Sequence, residues 1–343
     1  MQNIFENPAF TMSALTAAIN FLPNNYDRLS SMGLFVDRPQ RFRSVIVEEQ
    51  NGVLTLLPTM PPGSPGTVGV RGKRKVRSFT IPHIPHDDVI LPEEVQGIRA
   101  FGSETELQTV AGVMAQHLQT MRNKHAITLE HLRFGALKGQ ILDADGSLIY
   151  DLYNEFEIPP KTFHFDIEEH DSGFDVKKAC LDVVRYVEDN LQGERMSGLH
   201  AFVGEDFFDA LTAHDEVKAA YDRWQDGQAL RTDMRAGFTF AGITFEEHRG
   251  RANAPTAAPG NQTRRFVEAD EGHAFPLGTL DTFATYYAPA DFNETANTVA
   301  LPLYAKQEPR KFDRGTDLHT QANPLPLCHR PALLIRLVMG AQP

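Results

Sequence analysis

The sequence is short of cysteine and of long apolar runs, and each shortage excludes a class of protein. Two cysteines, Cys180 and Cys328, stand far apart among 343 residues. This spacing excludes a disulfide framework or a cysteine zinc cluster and predicts two core residues in a reducing compartment. The longest apolar stretch, "PALLIRLVMGA", contains Arg336 and is too short to cross a bilayer. The start, "MQNIFENPAF", has neither the basic nor the apolar region of a signal peptide, so we expect no membrane partner.

What is present is the composition of a folded, acidic protein. Hydrophobic residues make up 41% of the chain and charged residues 23%, and the formal net charge is -12. A substantial core can therefore form, while most of the surface repels nucleic acid. The length predicts two domains, or one domain with large excursions.

The amino-terminal part predicts a few ordered pieces between breakers. "RFRSVIVEEQNGVLTLLP", residues 41–58, predicts two strands that join in a tight turn at Asn51-Gly52. From Pro58 to about Leu91, prolines, glycines and like charges predict a long loop that has no core of its own. A loop of this length is uncommon in a compact domain and needs a structural or functional reason.

The clearest element is a long helix over residues 103–138. Ser103 and Glu106 form a capping box at its start. Apolar residues then recur at spacings of three and four, with His125 in the one polar slot. They are Leu107, Val110, Met114, Leu118, Met121, Leu129 and Leu132. The turn "DADG" and two predicted strands, "SLIYDLYNEFEI" and "KTFHFDIEEH", complete the first module.

A second module is predicted to begin near residue 172 with an amphipathic helix. Its apolar face consists of Val176, Cys180, Val183, Val184, Val187 and Leu191. "LHAFVG" then predicts a strand, "EDFFDALTAHDEVKAAYDRW" a single helix, and "GFTFAGITFEEHRG" a hairpin around Ala241-Gly242. The predicted fold class is α+β.

Two histidine-rich segments offer side chains of the kind that bind metals. The first contains His83, His86, Asp87 and Asp88, and the second is "HFDIEEHD". Prolines interrupt the first, with no regular element to fix a coordination geometry, and strand alternation splits the second between two faces. We predict that no metal or other cofactor is required. The sequence contains no phosphate-loop motif and no hydrolase motif. Among enzymes, the alternative is therefore a cytoplasmic metal-dependent enzyme that uses His83, His86 and Asp87.

The run "VRGKRKVRSF" concentrates five cations in seven positions of this acidic chain. Cations on a flexible segment can contact phosphates, but the acidic remainder repels DNA and only one aromatic residue is interleaved for base stacking. From the residues alone, nucleic-acid binding is the strongest generic interpretation of the run, and the acidic remainder of the chain argues against it.

The order of these pieces resembles that of the lambda-type major capsid proteins of tailed phages, the capsid protein E family. The resemblance rests on "PHDDVILPEEVQGIRAFGSE" before the long helix and on "FAGITFEEHRG", "AFPLGT", "YYAPADFNETANT" and "HRPALLIRL" after it. It covers nearly the whole chain and implies the Hong Kong 97-type capsid fold. The implied segments are an amino-terminal arm (1–37), peripheral-domain strands (38–57), an extended loop (58–88), the peripheral domain with its spine helix (89–171), an axial domain (172–308) and a return to the peripheral domain (309–343).

The resemblance also implies a partner for the basic run, because the cations of an extended loop can be ordered by the acidic surface of the next subunit. The predicted inter-subunit contact residues are Arg71, Lys73, Arg74, Lys75, Arg77 and Phe79.

The same resemblance implies a function and further partners. The protein would be a non-enzymatic structural protein that assembles in the host cytoplasm, as pentamers and hexamers, into an icosahedral shell around double-stranded DNA without sequence-specific binding. Scaffolding and portal proteins are implied partners, and a decoration protein is left open. The sequence lacks the charged amino-terminal scaffolding segment of some members of this fold, so a separate scaffold is expected, with a trimmed chain left open. A cellular nanocompartment shell protein of the same fold is the nearer alternative.

Overall fold

The protein combines many short strands with one long helix. In the computed structural model, the residues described are 11–21, 28–50, 74–94, 110–169, 173–191, 194–222, 234–253 and 263–341. Their helices are α1 (Met12–Phe21), α2 (Arg28–Ser31), α3 (Val110–Lys138), α4 (Leu152–Phe156), α5 (Val176–Asn190), α6 (Glu205–Ala213) and α7 (Asp215–Asp222). Their strands are β1 (Val36–Pro39), β2 (Ser44–Gln50), β3 (Arg74–Thr80), β4 (Ile84–Ile90), β5 (Gln140–Leu142), β6 (Leu148–Asp151), β7 (Lys161–Phe165), β8 (Gly198–Val203), β9 (Phe238–Phe240), β10 (Ile243–Glu247), β11 (Arg251–Asn253), β12 (Thr263–Arg265), β13 (Glu271–Leu277), β14 (Phe283–Tyr287), β15 (Tyr304–Pro309), β16 (Thr316–Ala322), β17 (Pro324–Cys328) and β18 (Ile335–Met339).

The long helix and the alternating strands follow the sequence patterns. The predicted helix is confirmed over Val110–Lys138, and its capping box at Ser103 and Glu106 lies outside the described residues. The first strand of the hairpin predicted at residues 41–58 is β2, whereas the predicted turn and second strand also lie outside them. The partner of β2 in the described structure is β3.

The chain divides into two compact units. The first consists of Met1–Ile46, Ser78–Leu132 and Ala284–Leu327, and the second of Val47–Arg77, Arg133–Phe283 and Cys328–Pro343. These divisions do not coincide with the boundaries expected at residues 172 and 309. The assignment of peripheral and axial domains therefore stays a prediction.

In the first unit, α1 and α3 pack against an antiparallel sheet ordered β15-β16-β4. Residues 113–121 of α3 share a buried cluster with Ile19 of α1, Ile90 of β4 and Leu318 of β16. The strands contribute Ile90 of β4, Ala305 of β15, and Leu318 and Ala322 of β16, so one face of this sheet is covered. Among the described residues, strand β4 lies at the edge of this sheet and pairs with β16 only.

In the second unit, α5 and α6 cover a mixed six-stranded sheet ordered β7-β18-β13-β8-β10-β9. The predicted α5 face is confirmed, because Val176, Val183 and Val187 are fully buried. Cys180 and Cys328 are also fully buried, and burial raises the pKa of each thiol to about 12. Both cysteines are therefore core residues, as the sequence predicts.

The predicted hairpin at Ala241-Gly242 is confirmed by its pairing and its backbone. Strands β9 and β10 pair antiparallel with Phe240 opposite Ile243. The φ angles of Ala241 and Gly242 are 46° and 90°, which are the two positive values that a tight hairpin turn requires. Alternating patterns with a turn signal between them were sufficient to predict this element.

Two predicted elements are wrong in detail. The strand predicted over "SLIYDLYNEFEI" ends at Asp151, whose side chain accepts hydrogen bonds from the amides of Tyr153 and Asn154 and so begins helix α4. Leu152 and Phe156 are then buried together at helical spacing. The single helix predicted after β8 is two helices, since the backbone of His214 is extended, with φ -66° and ψ 137°.

Candidate functional site

The basic run leads into strand β3. Arg71 and Lys73 lie outside the described residues, as do the side chains of Arg74 and Lys75. Strand β3 begins at Arg74 and pairs with β2. The run therefore ends in regular structure within the segment predicted to be a loop.

The last two residues of the predicted contact set are engaged within the chain. The guanidinium of Arg77 lies 4.6 Å from the ring centroid of Phe156, and its Nε donates a hydrogen bond to the carbonyl of Glu155. This stacking over an aromatic face is a favourable use of arginine. Phe79 is fully buried in the isolated chain, so it presents no surface to a neighbour and belongs to the core.

The histidine-rich segment after β3 forms a regular strand, although two prolines were expected to prevent one. Strand β4 pairs antiparallel with β16, placing His86 opposite Thr320 and Asp87 opposite His319. Proline has no backbone N–H to donate, but β4 is an edge strand, so Pro85 can lie on the side that has no partner strand. The expectation that no regular element fixes the geometry of these side chains is therefore wrong.

The first two histidines of the segment have separate polar partners. The Nδ1 of His83 lies 3.0 Å from Oδ1 of Asn323 and 2.9 Å from Nε2 of Gln321. The ammonium of Lys124 on α3 donates to Nε2 of His86 at 3.0 Å. Burial, followed by the charge of Lys124, lowers the pKa of His86. A nitrogen that accepts from an ammonium group is unprotonated, so this geometry requires a neutral His86.

The two aspartates bind two further histidines. Asp87 pairs with Nδ1 of His319 on the neighbouring strand. Asp88 accepts from Nδ1 of His117 on α3 at 2.7 Å and from the amide of Val89 at 2.9 Å. Burial opposes the charged form of Asp88, but these hydrogen bonds outweigh it and hold its pKa below the usual value.

The four candidate metal ligands do not converge on one point, because each binds a different side chain. Within the described ranges, no group of three or more histidine, cysteine, aspartate or glutamate residues is arranged to hold a metal ion. A coordination sphere requires several ligands directed at one centre. The metal-dependent enzyme considered from the sequence therefore has no support in this part of the chain.

His117 lies between two carboxylates, one at each ring nitrogen. Its Nδ1 faces Asp88, and its Nε2 lies 2.9 Å from Oε2 of Glu94 in the 3₁₀ turn Pro92–Glu94. Burial disfavours the charged imidazolium, but the hydrogen bonds to the two carboxylates outweigh it and raise the pKa of His117. The other oxygen of Glu94 accepts from the amide of Leu91 at 2.9 Å, so helix, strand and turn share one network.

Two turns further along α3, the surroundings of His125 favour its neutral form, whereas those of His117 favour the charged form. It is 8% exposed, and its Nε2 lies 3.0 Å from Oγ1 of Thr320. Burial, and then the neighbouring His86, His319 and Lys124, lower the pKa of His125 to about 4. The polar slot that the helical pattern predicts is therefore a neutral histidine bonded to the sheet.

Sequence reasoning missed the partners of the histidine-rich segment. His117 and Lys124 lie seven residues apart, a spacing that returns to a similar helix face, so their shared side was detectable. Their contacts with Asp88 and His86 were not, because these pairs are separated by 29 and 38 residues along the chain. In the portion of the chain that is described, no helix has the length and apolar character to cross a membrane.

Comparison with known proteins identifies the family. A family model for phage major capsid protein E matches residues 11–339. The major capsid protein of Salmonella phage Felix O1 is 30% identical over 358 residues, which cover 96% of either chain. That of Pseudomonas phage KPP10 is 28% identical over 352 residues, covering 98% of this chain and 97% of the other.

Structural comparison gives the fold. The mature capsid of bacteriophage PhiM1 superposes with a TM-score of 0.54 at 14% identity, over 94% of this chain and 89% of that one. At this identity the likeness shows the fold alone, which is the Hong Kong 97-type fold of tailed-phage capsids. Together with the family match, it confirms the resemblance found in the sequence: this chain belongs to the phage major capsid protein E family and forms the capsid shell.

Proposed function

We propose that this capsid chain assembles in the host cytoplasm as pentamers and hexamers, into an icosahedral shell that encloses double-stranded DNA without sequence-specific binding. We further propose that it has no catalytic activity and requires no metal. Scaffolding and portal proteins are its proposed partners, and a decoration protein remains open. The family's structural role supports this proposal, as does the dispersal of the potential metal ligands into separate hydrogen-bonded pairs.

The observation that carries the assembly mechanism is the cluster of cations in an otherwise acidic chain. The formal net charge of -12 includes the five cations of the basic run, so the remainder of each subunit is still more acidic. In a shell of identical copies, an acidic surface is available to every basic run. We assign the inter-subunit role to Arg71, Lys73, Arg74 and Lys75.

Arg77 and Phe79 have a different role in this proposal. Arg77 stacks on Phe156 and Phe79 is buried, so both hold strand β3 in place within its own subunit. They would support the contact by fixing the end of the run, without touching the neighbour. The peripheral and axial assignments implied by the family remain part of the same proposal.

The experiment is a triple charge reversal, Lys73→Glu, Arg74→Glu and Lys75→Glu. A single exposed ion pair contributes only about 0.2–1 kcal/mol, but a shell repeats the contact in every subunit. The triple variant should keep the melting temperature of the free subunit and fail to assemble, or should assemble only at raised salt, which screens the new repulsion. Light scattering and electron microscopy measure assembly.

The matched control reverses three exposed lysines elsewhere, Lys177, Lys178 and Lys218. This control changes the net charge by the same amount and should assemble like the parent. Trypsin should cut the basic run in free subunits and not in shells. A triple variant that assembles normally but loses DNA binding, with a smaller salt dependence, would show that the run contacts nucleic acid.

A further inference from the structure

The hydrogen bonds around His117 determine its protonation state. Asp88 and Glu94 each place a carboxylate oxygen within hydrogen-bond distance of one ring nitrogen, at 2.7 and 2.9 Å. Ionised carboxylates only accept hydrogen bonds, so both nitrogens of His117 must donate. Neutral imidazole has one N–H and can satisfy one of them. The observed arrangement is complete only when His117 is the imidazolium ion.

The two carboxylates also hold backbone groups at the end of strand β4. Asp88 accepts from the amide of Val89, and Glu94 accepts from the amide of Leu91. Val89 lies in β4, and Leu91 is the residue between that strand and the turn Pro92–Glu94. One proton on His117 therefore joins the end of β4 and the following turn to helix α3. We name this set, Asp88, Glu94 and His117, the histidine clamp.

The nearest other charged groups on the same helix and strand have partners of their own. Lys124, the nearby cation on the same helix, is bonded to His86. Asp87 on the adjacent position of β4 is paired with His319. Of the other titratable groups near it, His125 of α3 is bonded to Thr320, Asp317 of β16 stands opposite Val89 and is paired with Arg310, and Glu93 precedes Glu94 in the turn.

We propose that the histidine clamp is a proton-controlled lock, in which doubly protonated His117 fixes the end of β4 to α3 and loss of one proton releases it. The raised pKa of His117 agrees with this geometry. A group whose pKa is raised on folding stabilises the folded state below its unfolded value of 6.5 and loses that contribution as pH rises through the folded value. Alkaline conditions should therefore open the lock.

Two measurements on the free subunit test the lock directly. In wild type, an NMR titration of the His117 ring should show a midpoint above 6.5, and Glu94→Gln should lower that midpoint because one carboxylate charge is removed. Hydrogen exchange of the Leu91 and Val89 amides, corrected for the intrinsic effect of pH, should accelerate several-fold as His117 loses its proton. In His117→Gln the exchange of both amides should be fast at every pH.

The control is His319→Gln, which removes the neighbouring histidine–carboxylate pair from the same strand and should leave the His117 midpoint unchanged. A His117 midpoint at or below 6.5, or Leu91 exchange that does not respond to its titration, overturns the lock. Unfolding of His117→Gln would not hide the result, because Glu94→Gln tests the same coupling with His117 retained.

The lock also has a consequence for assembly, which rests on the proposed role of residues 58–88. Because β4 contains the end of that segment, its release at alkaline pH should slow shell assembly of wild type to the rate of His117→Gln, while at lower pH wild type assembles several-fold faster. Equal rates at both pH values would overturn the coupling to assembly. The amide-exchange experiment would still test whether His117 controls the end of β4. The charge-reversal variant would still test whether the basic run contacts a neighbouring subunit.

Discussion

His117 in the first unit is partly buried and His273 in the second is buried, and the two favour opposite charges. His117 has a carboxylate at each ring nitrogen, and its pKa is raised. His273 is 7% exposed, and burial, followed by the charges of Lys138 and Arg336, lowers its pKa to about 3. The depth of burial and the charge of the partners together determine whether each of these two histidines is a cation.

A nearby carboxylate is not sufficient to charge a histidine. Oε2 of Glu271 lies 3.9 Å from Nε2 of His273, but Glu271 is already paired with Arg336 through both of its oxygens. The guanidinium satisfies that carboxylate and also repels a second positive charge. His117 differs because, among the described residues, Asp88 and Glu94 hydrogen-bond to His117 and to backbone amides and to no arginine or lysine.

The largest expected effect is the loss of stability on acidification that His273 causes. Because its pKa is lowered from 6.5 to about 3, the neutral form contributes stability above pH 6.5 that declines as the pH falls toward 3. Each pH unit in this window corresponds to about 1.4 kcal/mol, or about 5 kcal/mol over the whole window. Urea unfolding at a series of pH values should show a shallower acid decline in His273→Leu than in wild type.

A matched variant tests whether His273 is the cause. His319→Gln changes a histidine in the other unit that is paired with Asp87 near the surface, and it should reproduce the acid decline of wild type. If His273→Leu and wild type lose stability in parallel, His273 is not held neutral, and its contrast with His117 fails.

The next effect compares His117 with His125 on the same helix. The pKa of His125 is lowered to about 4, so its neutral form contributes stability above pH 6.5 that is lost as the pH falls toward 4. The corresponding contribution is about 3 kcal/mol over this window. In His125→Gln, which keeps a donor for Thr320, the stability measured by urea unfolding should fall less on acidification. An unchanged decline would contradict the prediction.

The smallest expected effect comes from removing one cation near His273. The charge of Lys138 lowers the pKa of His273 less than burial does, so Lys138→Met should raise that pKa only part of the way toward 6.5. The acid decline in unfolding free energy should become slightly shallower, by less than in His273→Leu. A steeper decline in Lys138→Met would mean that Lys138 acts on His273 in the opposite sense.

The sequence predicted the elements that depend on local pattern. Helices α3 and α5 have apolar residues at helical spacing, and Ala241-Gly242 is a turn signal between two alternating runs. Helix α4 was missed because the alternation of apolar residues continues through it, while the side chain of Asp151 ends the strand by capping the helix. In the sequence, one capping residue is less conspicuous than apolar alternation over twelve residues.

The candidate site was less predictable because its contacts are not local. The cations of the basic run are visible in composition, and their proposed partner is another subunit. The histidine clamp joins residues 23 and 29 positions apart, and no spacing rule relates a strand, a turn and a helix at such separations. Pro82 and Pro85, before and within β4, further obscured a strand whose partner, β16, lies more than two hundred residues later.

The burial of both cysteines gives the native protein a built-in reporter. Cys180 and Cys328 belong to the second unit and are fully buried as protonated thiols, and the chain has no other cysteine. A thiol-reactive dye modifies the exposed thiolate, so it should label the protein only when this unit opens. The labelling rate would then report how often the second unit opens inside an intact shell. The first unit would contribute no signal, because it contains no cysteine.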